Sequence, residues 1–346
     1  MNGCDSKIYQ TIILEFVGFL PLPTNQLNIG VQNVYRSKLI SLVRASPAIL
    51  LLTGAFYFTY IQGALSYYEI FMITSTNLRV NPLLSALVDL PYGAINLRGL
   101  LVLALFFYKR HSWHELARQT QVLLHLACPV TAINHLPRKA MTYLSGSLLF
   151  LTASGHVIFE AVEWCYTWNP GSPSATLPAF SAISTVPVLK EAYAWPFLTL
   201  YFCFSTVPFV LSQQVYVCAI VLARCLHKVL ATLEQELLSE SRRWEQYARP
   251  SSLDNLARKV ATWEYLHVRT VLMVQAMNQF FGEIFLVTYL LDVLVAVCFA
   301  TQLIGEETDH SLLFYFVWLG SFVLFGAYAM LLPLPFVLLN SQVPNS

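Results

Sequence analysis

Six stretches of mostly apolar sequence, each of membrane-crossing length, constrain this chain more than any other feature. A helix crosses the hydrocarbon of a bilayer with about 20 such residues. The stretches run from Pro47 to about Tyr68, from about Pro82 to Tyr108, from about Met141 to Phe159, from about Tyr193 to Ala223, from about Phe280 to Ile304, and from Leu312 to about Leu339. In lipid every backbone polar group must be satisfied within the segment, so such runs fold as helices. Composition agrees. Of the 346 residues 56% are hydrophobic and 11% charged, against about 25% charged in a soluble domain. The expected fold class is all-α, a polytopic membrane helix bundle of six spans. Ile8 to Leu20 is apolar but short, and reads as a helix at the interface or packed under the bundle.

Basic residues set the orientation. Residues 1–46, the second-to-third connection and the fourth-to-fifth connection together carry 17 of the 20 lysines and arginines. The remaining connections carry Arg79 and Lys190, and Arg98 lies inside the second span. The fifth-to-sixth connection is acidic, with Glu306, Glu307 and Asp309. The N-terminus is therefore expected in the cytoplasm, and six spans return the C-terminus there. A G-protein-coupled receptor, with seven spans and an outer N-terminus, has the opposite hand. No cleavable signal is evident, so the first span is expected to direct insertion.

The helical pattern continues past the membrane. Leu222, Leu226, Val229, Leu230, Leu233 and Leu237 extend one face beyond the fourth span. From Trp195 to Trp244 a single helix would be about 75 Å long, and the hydrocarbon is about 30 Å thick. A turn at Pro250, Ser251 and Ser252 leads into Leu253, Leu256, Val260, Trp263 and Leu266, which enter the fifth span. These arms read as an antiparallel hairpin. The second span likewise runs on through Leu116, Val122, Leu123, Leu124 and Leu126. The expected organisation is a cytoplasmic segment at 1–46, transmembrane helices 1–4 at 47–223, cytoplasmic arms at 224–270, and helices 5–6 with a tail at 271–346. Helices 2, 4 and 5 carry the cytoplasmic extensions. Such arms pack on each other or on another subunit.

Catalytic signatures are sparse, and the expectation is no enzyme, no cofactor and no metal. HExxH, G-x-S-x-G, P-loop and GxGxxG motifs are absent, as are CxxC pairs among the seven cysteines. His114 and His125 are about 16 Å apart along a helix, too far to share a metal with His111. The net charge of +1 offers no field for nucleic acid.

Charges inside the membrane are costly and therefore informative. Asp89 and Arg98 lie half a revolution apart on the second span and cannot pair with each other. Asp292, in the fifth span, lies at a depth comparable with Arg98. An Arg98–Asp292 pair is either a buried tie holding the bundle or a ligand contact. Toward the outer face, Tyr92, His156, Glu160, Trp195 and Tyr201 make up the candidate ligand pocket, with Glu163, Trp164, Tyr315 and Trp318 nearby in the pattern. Gln213, Gln214, Gln275, Asn278 and Gln279 read as hydrogen-bonding glue between helices. Cys165 and Cys203 both lie toward the outside, and a disulfide between them is one option.

Three segments carry a family resemblance. The run Tyr9 to Pro21, YQTIILEFVGFLP, resembles the start of invertebrate gustatory receptors, a short apolar helix ending in a Gly-x-x-Pro-like turn. Tyr108 to Ala117, YKRHSWHELA, is similar to the basic segment that leaves the second span in that family. Leu256 to Val268, LARKVATWEYLHV, followed by Met277 to Gly282, MNQFFG, looks like the arm entering its fifth span. The resemblance implies a chemosensory, gustatory-type receptor subunit, a ligand-gated cation channel in the plasma membrane of sensory neurons. It implies homo- or hetero-tetramers, a small tastant binding from outside, and arms that form a central anchor. The family's seventh span, with its Thr-Tyr and Gln-Phe motifs, has no counterpart here, so no pore residue is carried over. The alternative is a six-span transporter that uses Asp89, Arg98 and Asp292. No inverted repeat between the halves supports it.

Overall fold

The computed structural model describes residues 18–19, 42–60, 63–64, 82–127, 200, 202–246, 253–304 and 312–342. Every regular element among them is helical. Helix α1 is Leu42–Tyr60, α2 is Pro82–Ala127, α3 is Val207–Gln246 and α4 is Leu253–Ile304. Helix α5 is Leu312–Leu331 and α6 is Leu334–Gln342, and a π-helical turn, Phe202–Thr206, leads into α3. The third apolar stretch, from Met141 to Phe159, lies outside the described residues, as do the acidic loop and the turn around Pro250.

Four helical segments are long and apolar enough to cross a bilayer: Leu42–Tyr60, Cys203–Arg242, Asn255–Ile304 and Tyr315–Ser341. The protein is an all-α, multi-pass membrane helix bundle. Helix α2 carries Arg98 within its apolar run, and Lys109 and Arg110 follow that run. It runs antiparallel to α4 over the same depth. Arg98 meets Asp292, and two turns and more further on Lys109 reaches Glu283.

The first helix starts at Leu42, earlier than the apolar run alone indicates, and so takes in Arg44. Gly18 explains what lies against that first turn. Its φ is +85°, and a Cβ there would stand 2.0 Å from the Arg44 carbonyl oxygen. Only glycine tolerates both conditions. The turn lets Phe19 bury fully and meet the edge of Phe107 at 5.9 Å between centroids. That matches a segment packed under the bundle at these two residues; the rest of Ile8 to Leu20 is outside the described residues.

Helix α2 is continuous for 46 residues despite Pro91. A proline inside a helix forfeits one backbone hydrogen bond, and it falls here before the tightly packed stretch from Ala94 to Phe106. Helix α3 is the enclosed member of the bundle: from Leu211 to Ala223 its side chains are buried on every face. The expected single helix is not uniform where it is described, and its start at Trp195 lies outside the described residues. The π-helical turn precedes α3, and Pro208, in its first turn, needs no donor there.

The leucine stripe beyond the apolar part of α3 is buried at Leu226, Val229 and Leu233 and emerges at Leu237, which is 53% exposed. There α3 and α4 pair as an antiparallel hairpin. Trp263 Nε1 donates to Glu236 Oε2 at 3.0 Å, and Lys259 pairs with Glu240. On the α2 extension, Trp113 is buried against Phe106, Phe280 and Phe281.

The sixth apolar stretch is broken rather than continuous. Helix α5 ends at Leu331 and α6 restarts at Leu334. Pro333 and Pro335 both lack an N–H, so two rungs of the ladder are missing. The Pro333 carbonyl instead accepts from the N–H groups of Phe336 and Val337 at 3.0 and 3.1 Å. Both pieces follow α4. Tyr315 donates to the Leu303 carbonyl at 2.9 Å, Phe336 lies 4.4 Å from Phe285, and Asn278 donates to Asn340 at 2.9 Å. Leu303 and Asn278 are about 38 Å apart along α4, which brackets one bilayer thickness.

Two predictions follow from this packing. A Cβ on Gly99 would stand 2.9 Å from the Phe209 nitrogen and 3.0 Å from its Cα. Gly99→Val therefore forces α2 and α3 apart and is expected to destabilise the bundle by about 1–3 kcal/mol, read as a lowered midpoint of thermal unfolding in detergent. On the α2 extension, Glu115 accepts from Arg118 at 2.6 Å and from Gln119 at 2.5 Å. Those hydrogen bonds, Arg118 first, push its carboxyl down to about 2. A lowered carboxyl pKa means the interaction is complete above the ordinary carboxylate range and is lost as pH falls through about 2. A side-chain carboxyl NMR titration should place Glu115 there, and Arg118→Gln should return it toward the ordinary range.

Candidate functional site

The charged centre of the bundle is Arg98 on α2. It is fully buried, as is Asp292 on α4. Arg98 Nη2 donates to Asp292 Oδ2 at 3.1 Å. Nε lies 2.5 Å from Oδ1 in an ion-pair contact, although its N–H is not aligned on that oxygen. The contact is thus a side-on fork, the geometry that suits a planar guanidinium.

Three rings enclose the guanidinium. Its Cζ lies 5.2 Å from the ring centroid of Phe209, 5.1 Å from Tyr216 and 5.4 Å from Tyr328. Phe209 and Tyr216 are seven residues apart on α3, two turns along one face. Tyr328 comes from α5. The cation thus draws contacts from α3, α4 and α5 while standing on α2. An arginine at mid-membrane costs about 2.5–3.5 kcal/mol on insertion scales. Each buried cation–π contact returns about 0.5–2 kcal/mol, and the carboxylate neutralises the charge.

The hydroxyls around the pair have a defined direction. Thr288 Oγ1, one turn before Asp292, donates to the Ile284 carbonyl at 2.7 Å. A hydroxyl has one proton, so in its bond with Thr288 it is Tyr216 that donates. A second polar tie, from Ser205 to Asn96, joins the π-helical turn to α2 close by.

The sequence expectations fare unequally. Arg98 and Asp292 are brought together as a buried pair. Asp89 and Tyr92 stand on α2, but their side chains lie outside the described residues. His156, Glu160, Trp195 and Tyr201 lie outside them too, so the structure neither assembles nor disperses the outer-face pocket. The amides behave differently from the expected glue. Asn278 does join two helices. Gln275 and Gln279 point outward. Gln213 and Gln214 are 0% and 1% exposed, yet no side-chain oxygen or nitrogen of either has a hydrogen-bond partner. Cys203 is a free, exposed thiol, and Cys165 lies outside the described residues.

Sequence reasoning did not single out Phe209, Tyr216, Thr288 or Tyr328. Two signals were present. Phe209 and Tyr216 repeat at seven residues, and Thr288 precedes Asp292 by four, so each set shares a helix face. Their meeting at Arg98 depends on which helices adjoin, which no local spacing records.

Removing one partner should be costly. Arg98→Met leaves Asp292 buried and unpaired, and is expected to destabilise the protein by about 3–5 kcal/mol. Arg98→Met with Asp292→Leu should recover most of that. Chemical unfolding of the three proteins in one detergent reads the difference, and an equal loss in the single and double variants would contradict a structural pair.

No protein-family model matches the sequence. No curated protein matches it either. Among solved structures, the insect olfactory receptor OR5 from Machilis hrabei is similar at a TM-score of 0.46 and 14% sequence identity, over 97% of this chain and 78% of that one.

Proposed function

We propose that this protein is a chemosensory, gustatory-type receptor subunit that gates cations in response to a small extracellular molecule. The observation that carries the reading is the continuation of α2, α3 and α4 out of the apolar bundle as packed arms. Helix α4 is 52 residues long, about 78 Å, more than twice the hydrocarbon thickness. A protein whose work ends at the membrane surface has no need of such arms. Arms of this kind suit assembly with further subunits. Leu237, Leu238, Val260, Tyr265 and Val268 remain exposed on them, and a tetramer is the expected assembly. The orientation is cytoplasmic for the arms, with six spans and a plasma-membrane location.

The ligand pocket of this reading is Tyr92, His156, Glu160, Trp195 and Tyr201, open to the outside. The transporter alternative makes Arg98, Asp292 and Asp89 an ion path. The mutual neutralisation of Arg98 and Asp292 inside an aromatic cage favours a structural tie over a site that must release its ion.

Ligand-evoked cation entry tests the proposal. The chain is expressed in cells, alone and with companion subunits, and calcium influx is followed across a panel of sugars, amines and bitter compounds. A ligand-dependent influx supports it. Glu160→Ala and Trp195→Ala should then shift the dose–response midpoint severalfold while surface expression holds. Curves unchanged by both substitutions would remove the pocket, and coupled uptake without current would favour transport.

A further inference from the structure

The Arg98 fork leaves a donor over. Asp292 accepts a hydrogen bond from Nη2 and holds Nε in an ion-pair contact without an aligned hydrogen bond, and Nη1 has no hydrogen-bond partner although it is fully buried. Gln213 stands on the same stripe of α3 as Phe209 and Tyr216, four residues after one and three before the other. Those two rings lie against the Arg98 guanidinium. Gln213 is 0% exposed, and both its Oε1 and its Nε2 lack partners. The Thr206 hydroxyl, seven residues earlier in the chain, is buried and unpartnered as well. Each such buried orphan costs about 1–3 kcal/mol. Three such atoms lie on α3 and the turn before it, and Gln213 stands between the two α3 rings that lie against the guanidinium.

We infer that the Arg98 Nη1 and Gln213 carboxamide form a binding site for a neutral hydroxyl group in the core of the bundle. Charge and hydrogen-bond arithmetic select the chemistry. The Arg98–Asp292 pair is already neutral. An added anion would leave net negative charge in an apolar interior, and a cation would meet Arg98 directly. The occupant is therefore uncharged. Nη1 requires an acceptor, and Gln213 Oε1 requires a donor. A carbonyl or ether satisfies Nη1 but leaves Oε1 orphaned. A hydroxyl oxygen accepts from Nη1 and donates to Oε1 at once. The nearby Tyr216 hydroxyl cannot do this, because its proton is committed to Thr288. Phe209, Tyr216 and Tyr328 supply aromatic surface for the carbon body of such a ligand.

The same chemistry is offered by an alcohol and by a water molecule, and the site is independent of the outer-face pocket proposed above. It rests on no receptor activity. The full chain in lipid nanodiscs serves for the test, with Gln213→Leu and Gln213→Met as the site variants. Gln214→Leu is the control, since it removes an equally buried amide one residue away, about 100° around the helix. Saturation-transfer NMR follows benzyl alcohol against benzyl methyl ether, which lacks the hydroxyl. Infrared difference spectra in ordinary and oxygen-18 water follow bound water.

An alcohol source gives saturable binding of benzyl alcohol and none of the ether. That binding falls about tenfold or more in both site variants and persists in Gln214→Leu. A water source gives no alcohol binding but an isotope-sensitive O–H band, present in the wild type and the control and missing in both site variants. If neither signal distinguishes wild type from the folded site variants, the inference is overturned. Folding is read from elution volume and near-ultraviolet dichroism, and the methionine variant keeps the test open should leucine misfold.

Discussion

The described bundle is organised around one buried cation. Arg98 stands on α2 in a setting where a charge is tolerated only if other helices come to it. Asp292 brings α4, Phe209 and Tyr216 bring α3, and Tyr328 brings α5. None of these helices satisfies the guanidinium alone. The hydrophobic effect gives little direction to helix association within lipid, because the surrounding tails are as apolar as the side chains. Polar contacts therefore carry register information that apolar faces lack. A slip of α4 by one turn would move Asp292 about 5.4 Å along the axis and strand two opposite charges.

A close backbone approach makes that convergence achievable. Gly99 follows Arg98 directly, and the α3 backbone at Phe209 occupies the space where a Cβ would be. The absence of a side chain brings α3 near enough for two of its rings to reach the guanidinium. Gly54 does the same further out, where the Phe204 ring lies within 2.1 Å of where a Cβ would stand. Arginine and glycine are thus one device: the first needs its neighbours close, and the second lets them come.

Much of this architecture is legible from sequence. The apolar runs locate α4 and the start of α5, and the stripe from Leu222 to Leu233 anticipates the buried side of α3. Arg98 and Asp292 are conspicuous because charges are rare at that depth, and their depth alone suggests the partnership. What is not legible depends on proximity or on local chain chemistry. Phe209, Tyr216 and Tyr328 look like any membrane aromatic until four helices converge. Gln213 and Gln214 read as helix glue because amides at such positions usually find partners, and packing around α3 offers them none. The break at Leu332 and Pro333 hides inside an unbroken apolar run. Hydropathy does not register a missing N–H.

The distribution of imperfect contacts says where this bundle is able to respond. Along α4, Phe281, Phe285 and Phe299 each pack against another ring, and close-packed interfaces of that kind hold one arrangement. The α3 hairpin is tied by Glu236 and Glu240 at its far end. Between these fixed regions lies the strip from Thr206 to Gln213, where buried polar groups are left unmatched close to the Arg98–Asp292 pair. A ligand shifts a conformational equilibrium only by as much as it binds one state better than another. Unmatched groups in a dry interior give the largest such difference, because the state in which they are satisfied gains their whole desolvation penalty. Within the strip the α3 backbone also closes on Gly99 of α2. Both helices continue into the extended arms, so a small change beside Arg98 has a rigid path out of the apolar bundle.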